Sequence, residues 1–167
     1  MKAVHLGLRH RRSPALVSSF FDPSMPAEWR VAFLLNEQDA LWVAGDDPDV
    51  ALVLEELKAS PAPVFVVVEA PAWSPDWEAL RADGYHRVIC LAEDTPLWRP
   101  DVGAPEAACV GLVPGSDDAS VLRDWLEQFV AQAPVSTGTG TALFVDGEPP
   151  SVATVDRLRT LAELMGL

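Results

Sequence analysis

The stretch Leu41-Trp42-Val43-Ala44-Gly45-Asp46-Asp47-Pro48 decides how this chain is read. Four apolar residues make a strand without a polar face, Gly45 to Asp47 make a tight polar turn, and Pro48 suits the first turn of a helix. Asp47 reads as the cap of that helix, and Val50, Val53, Leu54 and Leu57 then repeat at helical spacing. The same unit recurs where Val64–Val68 runs into Ala72-Trp73-Ser74-Pro75, and where Val4–Leu8 runs into Arg12-Ser13-Pro14. Looser copies take Cys109–Val113 into Gly115-Ser116-Asp117-Asp118, and Ala142–Val145 into Asp146-Gly147-Glu148.

Strands alternating with capped helices predict an α/β fold with a largely parallel sheet. Between the first helix and Leu41, the apolar run Trp29–Leu35 reads as a further strand. Four residues then separate it from Ala40–Ala44, too few for a crossover helix, so the sheet is expected to be mixed. The expectation is a three-layer sandwich with about six to seven strands, Rossmann-like or flavodoxin-like.

The length of 167 residues suits one well-cored domain, residues 1–167, and the Pro-rich stretch 94–107 reads as a surface connection within it. An apolar fraction of 49% excludes a disordered chain. No apolar run reaches the roughly 18 residues that span a bilayer, and Arg9, His10, Arg11 and Arg12 stand where a signal peptide keeps its apolar stretch, so a cytosolic location is expected. Cys90 and Cys109, in apolar runs with no metal-ligand spacing, are expected to be buried free thiols. Of the six tryptophans, Trp42 and Trp125 fit core stripes, while Trp73, Trp77 and Trp98 lie near loops.

A net charge of −13 disfavours binding to a phosphate backbone. The charge is uneven. Residues 1–30 carry five basic groups against two acids, leaving a basic corner on an acidic body.

In parallel α/β sheets ligands bind beyond the carboxyl ends of the strands. The candidate loops there are Arg9–Ser13, Gly45–Asp49, Glu69–Ser74, Ala92–Asp94, Gly115–Asp118 and Asp146–Glu148, and all but the first are acidic. Helix capping alone explains Asp47, Asp49, Ser74, Asp76, Asp117 and Asp118. The functional reading is carboxylates converging on Mg²⁺, with Asp46 first because Asp47 fills the cap beside it, and Asp146 second because it directly ends a strand. The first loop is different in kind. Arg9, Arg11, Arg12 and Ser13 lead into a helix and make a candidate anion site, against the plainer reading of a solvated basic turn. Residues 136–141, Ser-Thr-Gly-Thr-Gly-Thr, have no lysine and precede a strand, so they read as a connection and not as a phosphate loop.

Residues 2–93 resemble a response-regulator receiver domain in their succession of strands, in Asp46-Asp47 after Leu41–Ala44, and in Gly84-Tyr85-His86-Arg87 before the next strand. Arg9-His10 stands where a receiver has its acidic pair, Glu69-Ala70 where it has Ser or Thr, and Ala92-Glu93-Asp94 where it has lysine. The resemblance therefore implies a degenerate, interaction-type receiver without phosphotransfer. The Ser13-Pro14 turn with its preceding arginines also resembles ligand-sensing Rossmann-like domains that bind nucleotide second messengers.

No nucleophile elbow, zinc signature or catalytic triad is readable. The first functional expectation is a non-catalytic regulatory or protein-interaction module, self-associating as a homodimer or binding a protein partner. The alternative is a protein that binds a nucleotide or other anionic small ligand, with Mg²⁺ as its cofactor if it is an enzyme.

Overall fold

The computed structural model describes residues 4–102, 108–133 and 140–167. Its strands are β1 (Val4–Leu8), β2 (Ala40–Val43), β3 (Phe65–Glu69), β4 (Arg87–Leu91), β5 (Val110–Val113) and β6 (Thr141–Val145). Its α-helices are α1 (Pro14–Phe20), α2 (Ala27–Glu37), α3 (Val50–Ala59), α4 (Pro75–Asp83), α5 (Ala119–Gln132) and α6 (Val152–Met165). The cap signals in the sequence mark real boundaries: Ser13 and Ser74 precede helices with proline in the first turn, and Gly84 closes α4 in the left-handed conformation. Among the described residues, only Asp118 and Ser151 cap helices through their side chains.

One predicted strand is a helix. Residues 29–35 belong to α2, where Val31 and Leu34 turn inward three residues apart and the chain enters through Pro26. Arg30 alone interrupts an otherwise apolar run, which shows no clear period, and here the helical period won. With α2 in place a helix links β1 to β2, and every strand pair in the two sheets is parallel, not mixed.

The strands form two three-stranded sheets, ordered β1-β6-β5 and β2-β3-β4. β1 and β2 lie side by side but are joined by side chains instead of a backbone ladder. The Leu6 amide donates to Asp39 Oδ1 (3.0 Å) and the Leu8 amide to Gln38 Oε1 (3.2 Å). Neighbours therefore run β5-β6-β1-β2-β3-β4. In the flavodoxin-like order the first strand lies between the second and third, whereas here β2 lies against β3.

The helices do not make a three-layer sandwich. Every buried apolar helix residue, from Leu16 to Ala162, packs in one cluster with Val4, Leu6, Leu8, Leu41, Val43, Val66, Val68 and their equivalents on other strands. The opposite faces of the strands contribute Ala40, Trp42, Phe65, Val67, Val110, Leu112, Ala142 and Phe144, which pack in a second cluster containing no helix residue. The reason is topological. Each helical connection steps to the neighbouring strand in the same direction, and right-handed crossovers then lay all helices on one face.

Those eight inner residues are nevertheless at most 2% exposed. With no helix over them, they pack on one another and on partly buried Ile89, Leu91, Leu97 and Cys109, so that the inner face curls on itself. Trp42 and Phe144, from β2 and β6, meet edge to face at 5.2 Å across β1. The free edge of β5 is covered by the Pro-rich connection, where the Trp98 amide bonds Val110 O (3.0 Å) and the Leu112 amide bonds Trp98 O (2.9 Å). Trp77 and Trp98, placed near loops by the sequence, are core residues at 0 and 1% exposure. Cys90 and Cys109 are free and half-buried.

His86 pins β4 to its neighbours. Its Nδ1 accepts from the Val64 amide (3.0 Å) and its Nε2 donates to Leu57 O (2.8 Å), which fixes a neutral ring. Burial, more than any other effect, lowers its pKa from the ordinary 6.5. The unfolded chain then takes up this proton first, so the fold loses stability as pH falls through 6.5 toward the depressed folded value. Urea denaturation from pH 7.5 to 5 is expected to show that loss, with a shallower slope in His86→Leu. An unchanged slope would show that His86 does not carry it.

Candidate functional site

The turns after β1, β2 and β6 meet the end of β3, and there Arg9 pairs with Asp146, Arg11 with Asp47 and Arg12 with Asp49. Arg9, His10, Arg11, Arg12 and Ser13 follow β1, Ala44, Asp46 and Asp47 follow β2, Glu69 ends β3, and Glu148 follows β6. All of these line one cavity of about 410 Å³.

Each arginine of the predicted anion site already holds a carboxylate. Arg9 Nη1 bonds Asp146 Oδ2 (3.1 Å), and its guanidinium lies over the Trp42 ring at 5.2 Å. Arg11 is buried, donating to Trp42 O (3.3 Å) and to Asp47. Burial pulls the pKa of Arg11 down, and the Asp47 charge opposes that pull. Arg12 bridges to Asp49 (3.3 Å) in an exposed pair and lies at 3.9 Å from the buried Asp47. Ser13 is 5% exposed, and its hydroxyl has no hydrogen-bond partner among the described residues; the same holds for Arg9 Nε.

The predicted capping role of Asp47 is overturned. Asp49 occupies the cap position of α3, without a side-chain cap bond, and Asp47 is drawn inward by Arg11. Its second oxygen accepts from the Asp49 amide (2.9 Å), so the turn is held by an Asx bond. A cap reading sees only local partners, whereas the winning partner stands 36 residues away.

The two predicted metal ligands have different fates. Asp146 binds Arg9, His10 Nε2 (3.2 Å) and the Gly147 amide (3.0 Å). Burial works to raise its pKa, but the Gly147 amide and the charges of Arg9 and His10 outweigh it and the net shift is downward. Asp46 is exposed and makes no hydrogen bond or ion pair among the described residues, and Glu148 is in the same state. No three His, Cys, Asp or Glu residues gather in metal-binding geometry among the described residues. Asp46 and Glu148 remain the carboxylates available to a cation in the cavity.

Two further residues shape this end of the sheet. Glu69 receives both Trp42 Nε1 (2.9 Å) and the Gly45 amide (2.9 Å), locking the β2 turn to β3. Its position at the end of a strand was the only signal in the sequence. A second cavity, about 690 Å³, opens beyond β5 and β6 and is lined by Arg99, Asp101, Leu112, Val113, Trp125, Pro149 and others. Asp146 lines it, while its partners Arg9 and His10 line the first cavity. Arg99 stands in the Pro-rich break, whose lack of periodicity gave no sign of a site. Most of the Ser-Thr-Gly-Thr-Gly-Thr connection, residues 136–139, lies outside the described residues.

Among the described residues, no helix is long and apolar enough to cross a membrane. In comparison with known proteins, no family model, curated protein or solved structure matches the chain.

Proposed function

We propose that the chain binds a small polar ligand with an acidic group, such as a nucleotide, in the cavity between Arg9–Ser13 and Asp46–Asp47. The observation that carries this reading is that guanidinium groups and unpaired carboxylates line one concave space of ligand size. Arg12 and Asp49 have side chains 46 and 38% exposed, and such surface pairs contribute about 0–1 kcal/mol, so an incoming anion displaces Asp49 at little cost. Asp46 and Glu148 oppose a bare anion and favour one that arrives with Mg²⁺. No reaction is assigned to the site.

Thermal shift and native mass spectrometry against nucleotides, with and without Mg²⁺, test the reading. A ligand at a hundredfold excess over its Kd is expected to raise Tm by about 5–10 °C. Arg12→Ala is expected to abolish that shift while leaving the unliganded Tm within about 2 °C, as befits a surface pair. No stabilisation by any member of the panel would overturn the reading. The same spectra report subunit mass, and a dimer without ligand would favour the interaction module instead. Trp29, 63% exposed on α2, is the residue that reading would use.

A further inference from the structure

The cavity beyond β5 and β6 differs from the polar one in a single decisive respect: among the described residues, its cation is unclaimed. Arg99 is half-buried and makes no hydrogen bond or ion pair among the described residues. Arg9, Arg11 and Arg12 are each held by an aspartate. Asp101 lines the same cavity but is exposed and forms no ion pair with Arg99, and Asp146 is committed to Arg9 and His10. A partly desolvated guanidinium with no counterion among the described residues favours an anion that can bond it bidentately. Beyond Asp101, Asp146 and Ser151, the remaining lining is mostly apolar. Leu112 and Val113 are each 1% exposed at the floor, and half-buried Trp125 of α5 supplies an aromatic wall. About 690 Å³ is within the range of small-molecule sites.

We propose that this cavity binds a small planar molecule bearing a carboxylate or phosphate, with the acid on Arg99 and the ring against Trp125. Arg99 and Trp125 do not line the polar cavity, so the proposal stands apart from the reading above. Its chemistry has three parts: a charge-assisted pair for the acid, an apolar floor, and an aromatic face for stacking.

Isothermal titration calorimetry on the full chain with indole-3-acetate, its neutral amide and phenyl phosphate tests this. At least one of the acids is expected to bind saturably, and comparing the two tells carboxylate from phosphate preference. The amide and the Arg99→Gln variant should each weaken binding on the order of tenfold to a hundredfold, as loss of a charged hydrogen bond does. Arg99→Lys, keeping the charge, should retain most of the affinity, and Trp125→Leu should weaken acid and amide alike. Arg12→Ala, which removes the response of the polar cavity, should leave acid binding unchanged, so each site can fail without the other. No saturable binding of either acid at millimolar concentration, equal affinity for acid and amide, or full affinity in Arg99→Gln would each overturn the proposal.

Discussion

Replacing Asp47 with alanine is expected to destabilise the protein by about 3–5 kcal/mol, the cost of leaving a buried charge without its partner. The Arg11 and Asp47 side chains are 7 and 1% exposed, so neither can be rescued by water. Burial lowers the Arg11 pKa, but an arginine guanidinium stays charged at neutral pH. Its remaining hydrogen bond among the described residues is to Trp42 O at 3.3 Å, one neutral acceptor for a cation with five N–H groups, with the Asp49 charge further off. The substitution also frees the Asp49 amide that closes the turn before α3. Guanidinium denaturation at 25 °C measures the loss directly. Replacing both partners with apolar residues, as in Arg11→Met/Asp47→Leu, should cost much less than Asp47→Ala, because no charge is then stranded. A loss below about 1 kcal/mol for Asp47→Ala would place the pair among surface salt bridges, which the burial contradicts.

That ion pair also shows where sequence reading stops. Residues 41–48 announce a strand, a turn and a helix, and the chain obeys, because each decision is local: no polar face, a glycine turn, a proline at the helix start. Asp47 was assigned to a cap on the same local logic. Its actual partner Arg11, like the Arg9 partner of Asp146 at 137 residues' separation, is chosen by which strands become neighbours. Strand order is invisible to periodicity. The basic first turn was legible as the place where charge would matter, but not that acids from β2 and β6 would already occupy it. The missed layer arrangement has a similar origin. Strands buried on both faces look alike whether helices cover the second face or other strands do, and Val64–Val68 carries no mark that distinguishes the two. The middle of α2, Val31 to Leu35, has no polar residue to reveal its period, and reading it as a strand makes the sheet look mixed.

Gly7→Ala is expected to cost about 3 kcal/mol or more, the upper end of overpacking effects. Its backbone is not in the left-handed region, so the whole cost is one of space. A methyl group there would lie 2.3 Å from the Ala40 carbonyl oxygen and 2.9 Å from its carbon. Both are backbone atoms at the start of β2, and neither can swing aside. β1 and β2 would have to separate at the seam where Asp39 and Gln38 hold the Leu6 and Leu8 amides. Gly7 also pairs with Phe144 of β6, and the contact between Trp42 and Phe144 crosses β1 at this level. A side chain there would wedge the inner face open as well as part the strands. Gly111→Ala is the control. Its methyl group would come within 2.7 Å of Leu143 Cδ1 and 2.9 Å of Phe129 Cε2, ends of side chains that can shift. Denaturant unfolding should therefore rank Gly7→Ala as the more damaging of the two. The reverse order would mean that β1 and β2 can move apart freely, and the inward curl of the two sheets would lose its tightest constraint.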